Sequence, residues 1–236
     1  PRDIDSEVLD IALAAAEQGG AEEQSFLGRL YGSSVGRHNY LEAVKWYRRA
    51  AVQGYRPAQF HLGSMYQHGK GVLQDYAEAA RWYRLAAQEG HVGALLSLGD
   101  IYRDSSGSLH SFSEAANWYR LAADRGSTRA QNLLGNMYSS GDGVLQNYAE
   151  AVKWYRRAAE QGDEDAQTNL GKMYAYGKGV TQDYARAHMW FNISSANGYE
   201  GAGDLRKIIT AQMTPPQIEK AQSMAHRCME SGYKDC

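Results

Sequence analysis

The sequence predicts an all-α protein, an α-solenoid of stacked antiparallel helix pairs. The first observation behind this prediction is that every tryptophan lies 36 residues from the next and is followed by Tyr or Phe, at Trp46, Trp82, Trp118, Trp154 and Trp190. The second is the absence of any strand pattern, since apolar residues recur at helical spacing instead. A fixed period of this length is typical of helical repeats, in which each unit buries its apolar face only against its neighbours.

Each repeat reads as two helices, here called helix A and helix B. Helix A carries A-x-x-x-L-G-x-x-Y, and helix B carries A-x-x-W-Y-x-x-A-A-x-x-G. In the second repeat, Ala58, Leu62 and Tyr66 form one stripe of helix A, and Ala79 and Tyr83 begin the stripe of helix B. Alanines that face aromatic rings favour close antiparallel packing. Glycines with left-handed backbone are expected after each helix B, at Gly54, Gly90, Gly126, Gly162 and Gly198.

The loop between the two helices looks like a phosphate site in the stretch YQHGKGVLQDY, residues 66–76. The element GKGV returns at residues 177–180, but GDGV replaces it at residues 141–144, where an acid would repel phosphate. A phosphate loop also needs a preceding strand and the pattern G-x-x-x-x-G-K-[ST]. We therefore interpret Gly69 and Gly71 as a turn with positive φ, and we expect Val72 and Leu73 to pack that turn against the core.

The acidic residue of this loop is interpreted as a helix cap rather than as a metal ligand. Its position is occupied in the five repeats by residues that favour helix N-caps, namely Asn39, Asp75, Ser111, Asn147 and Asp183. Three residues later stand four glutamates, Glu42, Glu78, Glu114 and Glu150. This spacing predicts a capping box in four of the five repeats.

Composition and charge exclude several classes of function. A net charge of -2 and a pI near 6.4 argue against nucleic-acid binding, and no apolar stretch is long enough to span a membrane. Helix B carries a basic stripe, at Lys45, Arg48, Arg49, Arg81, Arg84, Arg120, Lys153, Arg156 and Arg157. Because a Glu stands three residues before a basic residue in these helices, we interpret the stripe as a solvated face.

Residue patterns for enzyme chemistry are sparse. The histidines are scattered, without the spacing or the cysteine partners of a zinc site, so we predict no metal and no cofactor. Ser231 and Lys234 fit S-x-x-K, but the motif lies in the C-terminal tail and no K-T-G sequence accompanies it. The chain is therefore predicted not to be an enzyme.

The repeated motifs resemble those of the Sel-one-like repeat (SLR) family, relatives of the tetratricopeptide repeat with a longer loop between the helices. The resemblance implies a right-handed superhelix in a single domain over residues 1–236. It divides the chain into an N-terminal half-repeat helix in residues 1–20, five repeats in residues 21–198, and C-terminal capping helices with a Cys-Cys tail in residues 199–236.

This sequence departs from the family pattern in three places. The first loop is one residue short and the third lacks Gly-x-Gly-Val, so these loops are where a surface fitted to a partner is expected. In the fifth repeat, Ser194 and Ser195 replace two alanines.

The only two cysteines lie near the C-terminus, after a helix that we expect to have Thr214 as its N-cap and Pro215 as its first residue. A Cys228–Cys236 disulfide would close a short loop and imply export; two free thiols are the alternative. This pair resembles the tails of exported bacterial SLR proteins, which implies a periplasmic or secreted protein. The chain begins at Pro1 without a signal segment, so we expect that a leader was removed or that the chain was trimmed.

Helix A is expected to line the concave surface of the superhelix, where helical-repeat proteins bind other chains. Positions that repeat serve the stack, so the positions that vary are candidates for specificity. The candidates, here called the helix-A set, are Arg29, Ser64, His68, Asp100, Arg103, Asp104, Asn132, Asn136, Lys172 and Tyr176. A solvated face without a partner would show the same variation.

The sequence therefore predicts a non-enzymatic adaptor of the bacterial envelope, monomeric when free, that binds a protein partner in this groove. Family resemblance suggests a scaffold, a host-directed factor or an immunity protein that inhibits a toxin. One alternative is a β-lactamase-like hydrolase, whose turnover Ser231→Ala would abolish. Another is a binder of cell-wall polysaccharide, with Tyr176 as a stacking group.

Overall fold

The structure is a computed structural model that describes residues 4–33, 39–88, 90–104, 109–234 and 236. The chain forms two compact units, residues 1–111 and residues 112–236. In the described part of the first unit the helices are α1 (Ile4–Glu17), α2 (Ala21–Gly32), α3 (Tyr40–Val52), α4 (Arg56–His68), α5 (Tyr76–Gln88) and α6 (Val92–Asp104). In that of the second unit they are α7 (Phe112–Asp124), α8 (Thr128–Ser140), α9 (Tyr148–Ala159), α10 (Glu164–Tyr176), α11 (Tyr184–Ala196), α12 (Ala202–Thr210) and α13 (Pro215–Glu230).

These helices pack as the repeat pattern predicts. Helix A and helix B of one repeat contact each other in the pairs α2–α3, α4–α5, α8–α9 and α10–α11. Each helix B also contacts the helix A that follows it, as α3 contacts α4 and α9 contacts α10. The prediction of an all-α solenoid of antiparallel helix pairs is confirmed. The division into residues 1–20, 21–198 and 199–236 stays a prediction.

A glycine of helix A lies directly under an aromatic ring of helix B in each of these pairs. A Cβ atom added to Gly63 would lie 2.8 Å from the ring of Tyr83, and one added to Gly135 would lie 2.6 Å from Tyr155. Because real Cβ atoms do not come so close, only glycine lets the two helices approach to this distance. The glycine of the Leu-Gly-x-x-Tyr motif therefore marks the point at which helix B packs against helix A.

Arginines of helix B connect consecutive repeats. Arg120 donates to the hydroxyl of Tyr138 over 2.8 Å, and Arg156 donates to that of Tyr174 over 2.7 Å. Arg48 and Arg84 make the same bond to Tyr66 and Tyr102 in the first unit. These four arginines of the basic stripe thus hold the stack together.

The remaining basic residues of helix B lie against neighbours on their own helix. Lys45, Arg81 and Lys153 pair with the glutamate three residues earlier, at 2.6, 3.4 and 2.5 Å. Arg49 and Arg157 lie over the rings of Trp46 and Trp154. Lys45, Arg81 and Lys153 thus make the solvated pairs that were expected. The interpretation as a solvated face did not anticipate the four arginines that bond tyrosines of the next repeat.

Hydrogen bonds establish four of the five predicted N-caps, but the capping boxes predicted at Asn39, Asp75 and Asn147 are only half made. The side chains of Asn39, Asp75, Asn147 and Asp183 accept from backbone N–H groups of the first helical turn. In a capping box the glutamate side chain also accepts from the backbone N–H of the N-cap residue, and this part of the prediction was wrong. In the second repeat, the backbone N–H of Asp75 donates instead to the Tyr66 carbonyl over 3.0 Å. Glu42, Glu78 and Glu150 pair instead with Lys or Arg one turn later.

The loop glycines have positive φ as predicted, +64° at Gly69 and +72° at Gly71. Gly71 has a second role, because a Cβ added there would lie 2.3 Å from the carbonyl oxygen of Tyr40, the first residue of the preceding helix B. Val72 packs against the core as expected. The expectation for Leu73 was wrong: its side chain is 90% exposed, since the tight turn points it away from the helices.

The altered loops of the first and third repeats, which were predicted to be fitted to a partner, fall largely in residues 34–38 and 105–108. These residues lie outside the described part of the chain.

The C-terminal segment folds back on the fifth repeat. Helix α13 begins at Pro215, and its N-cap Thr214 forms a capping box with Gln217. Cys228 is fully buried and forms a disulfide with Cys236. Between them, the hydroxyl of Tyr233 donates to Asn197 Oδ1 at the end of α11, over 2.9 Å. The disulfide therefore closes a short loop that holds a tyrosine on the last repeat.

Candidate protein-binding surface

The first unit holds six members of the helix-A set on its three A helices. Arg29 lies on α2, Ser64 and His68 lie on α4, and the other three lie on α6, at Asp100, Arg103 and Asp104. None of the six is fully buried, because their positions face away from the helix B layer, which covers the glycine face of each helix A.

Charged side chains on α6 form a compact cluster. The guanidinium of Arg103 contacts a carboxylate oxygen of Asp104 at 2.7 Å and one of Asp100 at 3.5 Å. A cavity of about 240 Å³ between α4 and α6 is lined by His68, Asp100 and Asp104, among others. Three residues chosen from the sequence are thus brought to one concave site, which presents two carboxylates beside an imidazole.

A tyrosine of helix B supports one residue that lines this cavity. The hydroxyl of Tyr83 donates to Gln67 Oε1 over 2.7 Å, and Gln67 also lines the cavity. Burial raises the pKa of Tyr83 to about 12, so the hydroxyl stays neutral and keeps its role as a donor at neutral pH. Sequence reasoning assigned Tyr83 to the core, and the structure shows that its hydroxyl also supports the polar face of helix A.

In the second unit, the helix-A set forms an amide network. The side-chain nitrogen of Asn169 donates to the amide oxygens of Asn132 and Asn136, both at 3.2 Å. The hydroxyl of Tyr155 donates to the same oxygen of Asn136 over 2.8 Å, and burial raises the pKa of Tyr155 to about 12. The first unit has the same arrangement at Gln67: in both units, the hydroxyl of a helix B tyrosine donates to an amide side chain on helix A.

Burial divides the four members in the second unit. Asn132 is only 8% exposed, so it lies beneath the surface, where its amide oxygen accepts from Asn169. Asn136 is exposed, Lys172 is half-buried, and the ring of Tyr176 is 71% exposed at the end of α10. Asn169 was not among the residues of the helix-A set, although it lies on α10 with Lys172. Counting back one helical turn from Lys172 would have found it.

The serines that replace alanines in the fifth repeat have a structural explanation at one position. The hydroxyl of Ser194 lies 2.7 Å from that of Thr168 and 2.8 Å from the backbone oxygen of Glu164. Both Ser194 and Thr168 are buried. Ser194 therefore satisfies a threonine on helix A rather than forming part of an exposed site.

Two histidines of the first unit lie in an aromatic cluster. His61 stacks on Tyr47 with ring centroids 5.1 Å apart, and His91 stacks on Phe60 at 4.6 Å. Burial lowers the pKa of both imidazoles, and the positive charge of Arg29 adds to the effect at His61. Both rings therefore favour their neutral form in the folded state.

We expect the first unit to lose stability in mild acid. The pKa of each imidazole in the unfolded chain is about 6.5, above its value in the folded protein, so the unfolded state binds more protons as pH falls. The two histidines make their full contribution to the free energy of unfolding above about pH 6.5. That contribution is lost as the pH falls through their pKa values in the folded protein. Urea unfolding at pH 7.5 and 5.0 measures the loss. A His61→Asn/His91→Asn variant should show a smaller difference, and an equal difference would contradict the assignment.

The serine that suggested enzyme chemistry has a structural role. The hydroxyl of Ser231 donates to the Cys228 carbonyl over 2.9 Å at the C-terminal end of α13, where it caps the helix. Within the ranges that the structure describes, no three His, Cys, Asp or Glu side chains form a group that could hold a metal ion. No described helix combines the length and the apolar character that crossing a bilayer requires.

Fold and site together define a class: a helical-repeat protein in which repeated residues build the stack and varying residues form its helix-A face. Comparison with protein families agrees, since the Sel1 repeat model matches residues 24–55, 56–91, 92–127, 128–163 and 164–199. The chain belongs to the Sel1 repeat family. Proteins of this family are typically protein-interaction modules. A search of curated proteins gave no match.

Solved structures of Sel1 proteins are similar to this chain over most of its length. One is c5321, a protective antigen of uropathogenic Escherichia coli with an SLR fold; the identity is 33%, the TM-score is 0.81, and 95% of this chain is covered. The match covers 50% of c5321, so this chain spans about half the length of that relative. Another is a Sel1 repeat protein of Oxalobacter formigenes, with 32% identity, a TM-score of 0.77, and coverage of 94% of this chain and 96% of that one.

Proposed function

We propose that this chain is a non-enzymatic adaptor of the bacterial envelope that binds a protein partner through the helix-A face of its repeats. The observation that carries the proposal is the contrast between two sets of positions. Residues that hold the stack recur from repeat to repeat, whereas one helix-A position changes from Ser64 to Asp100, Asn136 and Lys172. The stack makes the same demand in each repeat, so this position is free to vary, as a surface fitted to a partner or an unused solvated face would. The binding experiment below separates the two.

The chemistry of the face indicates how a partner would be recognised. In the first unit, Asp100, Arg103 and Asp104 present fixed charges of both signs. In the second unit, Asn136 and Tyr176 offer an amide and an exposed ring, groups that are frequent in protein interfaces. Mixed charge with amides suits a polar protein surface better than a polyanion.

An extracytoplasmic location is supported by the Cys228–Cys236 disulfide, because the cytosol keeps thiols reduced. The bacterial Sel1 proteins that resemble this chain are compatible with such a location. We therefore assign the adaptor to the periplasm or to the secreted fraction. Scaffold, immunity and host-directed roles stay predictions, which the identity of the partner will decide.

The proposal is tested by capturing a partner from envelope extract and measuring its affinity after purification. An Asp100→Ala/Arg103→Ala variant should weaken binding at least tenfold, because charged pairs in an interface are worth roughly 1.4 kcal/mol or more. Lys172→Ala/Tyr176→Ala tests the second unit in the same way.

The matched control for these variants is Arg81→Ala/Lys153→Ala, which removes two exposed charges from helix B. Urea unfolding should show that all three variants fold. If the helix B variant weakens binding as much as the helix-A variants do, the helix-A face is not the binding surface.

A further inference from the structure

Helix α12 has the register of a helix A, but three positions of the motif carry other residues. Ala202 is fully buried and stands 36 residues after Ala166, the alanine of the preceding motif. In this register, Arg206, Lys207 and Thr210 stand where the motif has leucine, glycine and tyrosine. The leucines at the equivalent position are all fully buried, at Leu62, Leu98, Leu134 and Leu170. Stacking alone therefore favours an apolar side chain where this chain has Arg206.

The arginine–tyrosine bond between repeats is replaced at the junction of α11 and α12. At four other junctions, an arginine of helix B donates to a tyrosine 18 residues later. The two positions here are occupied by the shorter Asn192 and Thr210. Both line a cavity of about 530 Å³, here called the α12 cavity, whose walls come from α11, α12 and α13. Because α12 and α13 both pack on α11, the cavity is formed by helices that already contact one another.

A buried histidine lines the α12 cavity. His188 on α11 is only 3% exposed. The equivalent positions of the other repeats hold buried apolar residues, at Val44, Ala80, Ala116 and Val152. No group in the described part of the chain forms a hydrogen bond with His188 Nδ1, although this atom is shielded from solvent. Since buried polar atoms are hydrogen-bonded in most proteins, the imidazole indicates a partner from outside the described chain.

An ordinary solvated surface explains only part of this pattern. Lys207 is 76% exposed and pairs with Asp204 at 2.9 Å, as surface lysines commonly do. His188 differs, because it is buried in the fifth repeat. Arg206 differs as well, since its side chain lines the α12 cavity and donates to Asn192 Oδ1. The polar residues inside the cavity therefore need another explanation.

The charges of the α12 cavity match a single negative charge. The guanidinium of Arg206 has five N–H donors and uses one nitrogen for Asn192. Burial lowers the pKa of His188, and the positive charge of Arg206 lowers it further, so this imidazole is neutral at neutral pH. With Lys207 paired to Asp204, about one positive charge remains available. A planar guanidinium binds a carboxylate through two parallel hydrogen bonds, whereas a doubly charged phosphate would exceed this charge.

We propose that the α12 cavity binds one carboxylate group, held by the guanidinium of Arg206 and by the Nδ1–H of His188. Nδ1 is shielded in the free protein, so the imidazole turns slightly as the ligand enters. The carboxylate comes from an acidic side chain of a protein partner or from a small carboxylic acid, which present the same group. The site goes beyond the proposed helix-A face, because none of its residues belongs to the helix-A set.

The test is an NMR titration of the full chain with sodium acetate at constant ionic strength, with acetamide as an uncharged probe of similar size. Acetate should shift the imidazole signals of His188 in a saturable way, and acetamide should not. Bound acetate should also raise the pKa of His188, because a nearby negative charge favours the imidazolium. The variant His188→Val, which restores the residue found at Val152, identifies the signals.

Two variants separate the cavity from general attraction to positive charge. Arg206→Leu restores the leucine of the other repeats, and it should weaken acetate binding by roughly tenfold or more, since hydrogen bonds to a charged group are lost. Arg206→Gln repeats this test with a polar side chain. Lys207→Ala is the matched control and should change the affinity by less than about twofold, because it removes an exposed charge. Each variant is compared with its own acetate-free spectrum, and urea unfolding checks the fold.

Peptides distinguish the two sources of the carboxylate. A capped glycine peptide with one central glutamate is compared with its glutamine counterpart. Shifts at His188 with the glutamate peptide alone would assign the site to an acidic side chain of a protein, whereas shifts with acetate but neither peptide would assign it to a small carboxylic acid.

Three results would overturn the proposal: equal shifts with acetate and acetamide, equal loss of binding in Arg206→Leu and Lys207→Ala, or tighter binding of inorganic phosphate than of acetate. The titration needs no partner protein. Its failure would therefore leave the helix-A face untouched, and failure of the helix-A face would not affect this result.

Discussion

Replacing Gly71 by alanine should lower the free energy of unfolding of the first unit by about 3 kcal/mol. Two costs add: a left-handed backbone is unfavourable for a residue with a Cβ atom by roughly 1–2 kcal/mol, and forcing an atom into packed structure costs roughly 1–3 kcal/mol. The backbone at Gly71 has φ +72°, and the added Cβ would meet the Tyr40 carbonyl at 2.3 Å. Backbone atoms cannot rotate away as a side chain would, so the loop or α3 must shift.

The matched control is Gly54→Ala, which has a similar φ of +85° but no atom within 4 Å of the added Cβ. It should cost about 1 kcal/mol, since only the backbone term applies. Urea unfolding gives both free energies, and hydrogen exchange in α3 shows whether the damage reaches the preceding repeat. Equal costs at the two glycines would mean that the loop does not depend on this close contact.

Reducing the Cys228–Cys236 disulfide should destabilise the second unit by about 2–3 kcal/mol. The bond closes a loop of eight residue steps, and the chain-entropy model gives this magnitude for a loop of that size. The tail between the cysteines would then lose its fixed position, together with the Tyr233 contact to Asn197. Urea unfolding with and without reductant measures the effect.

Two controls separate the covalent bond from the contact that it holds. Tyr233→Phe keeps the disulfide but removes the hydroxyl, and it should cost about 1 kcal/mol. A Cys228→Ala/Cys236→Ala variant should be insensitive to reductant. Alkylation of the native protein without reductant, followed by mass measurement, should label no cysteine; two labels would remove the support for an extracytoplasmic location.

Local patterns were sufficient to predict the repeat architecture. The Leu-Gly-x-x-Tyr motif and the N-cap residues reflect contacts within a few turns of helix, so a short stretch of sequence reveals them. The tryptophan spacing is visible because it recurs along the chain. The same holds for Thr214 and Pro215 at the start of α13. The disulfide was predicted with free thiols as the alternative, and the structure forms it because the tail folds back on α13.

Several predictions about individual side chains were wrong where the surrounding structure, and not the residue's own helix, decides the outcome. Glu78 was expected to cap its helix, but the Tyr66 carbonyl, in another helix, takes the N–H of Asp75. Leu73 was expected to be buried because it is apolar, although the turn exposes it. In the helix-A set, helical spacing found the charged cluster of α6 but counted the buried Asn132 as surface and missed Asn169.

The sequence by itself determined that this chain is a stack of Sel1-type helix pairs, and it indicated which face of each pair varies. Those properties are periodic, and periodicity is visible without coordinates. Only the tertiary structure decided that Arg48, Arg84, Arg120 and Arg156 hold neighbouring repeats together, and that Gly71 lies against the Tyr40 carbonyl. Each depends on atoms from different helices, whose separation follows from packing rather than from the order of residues.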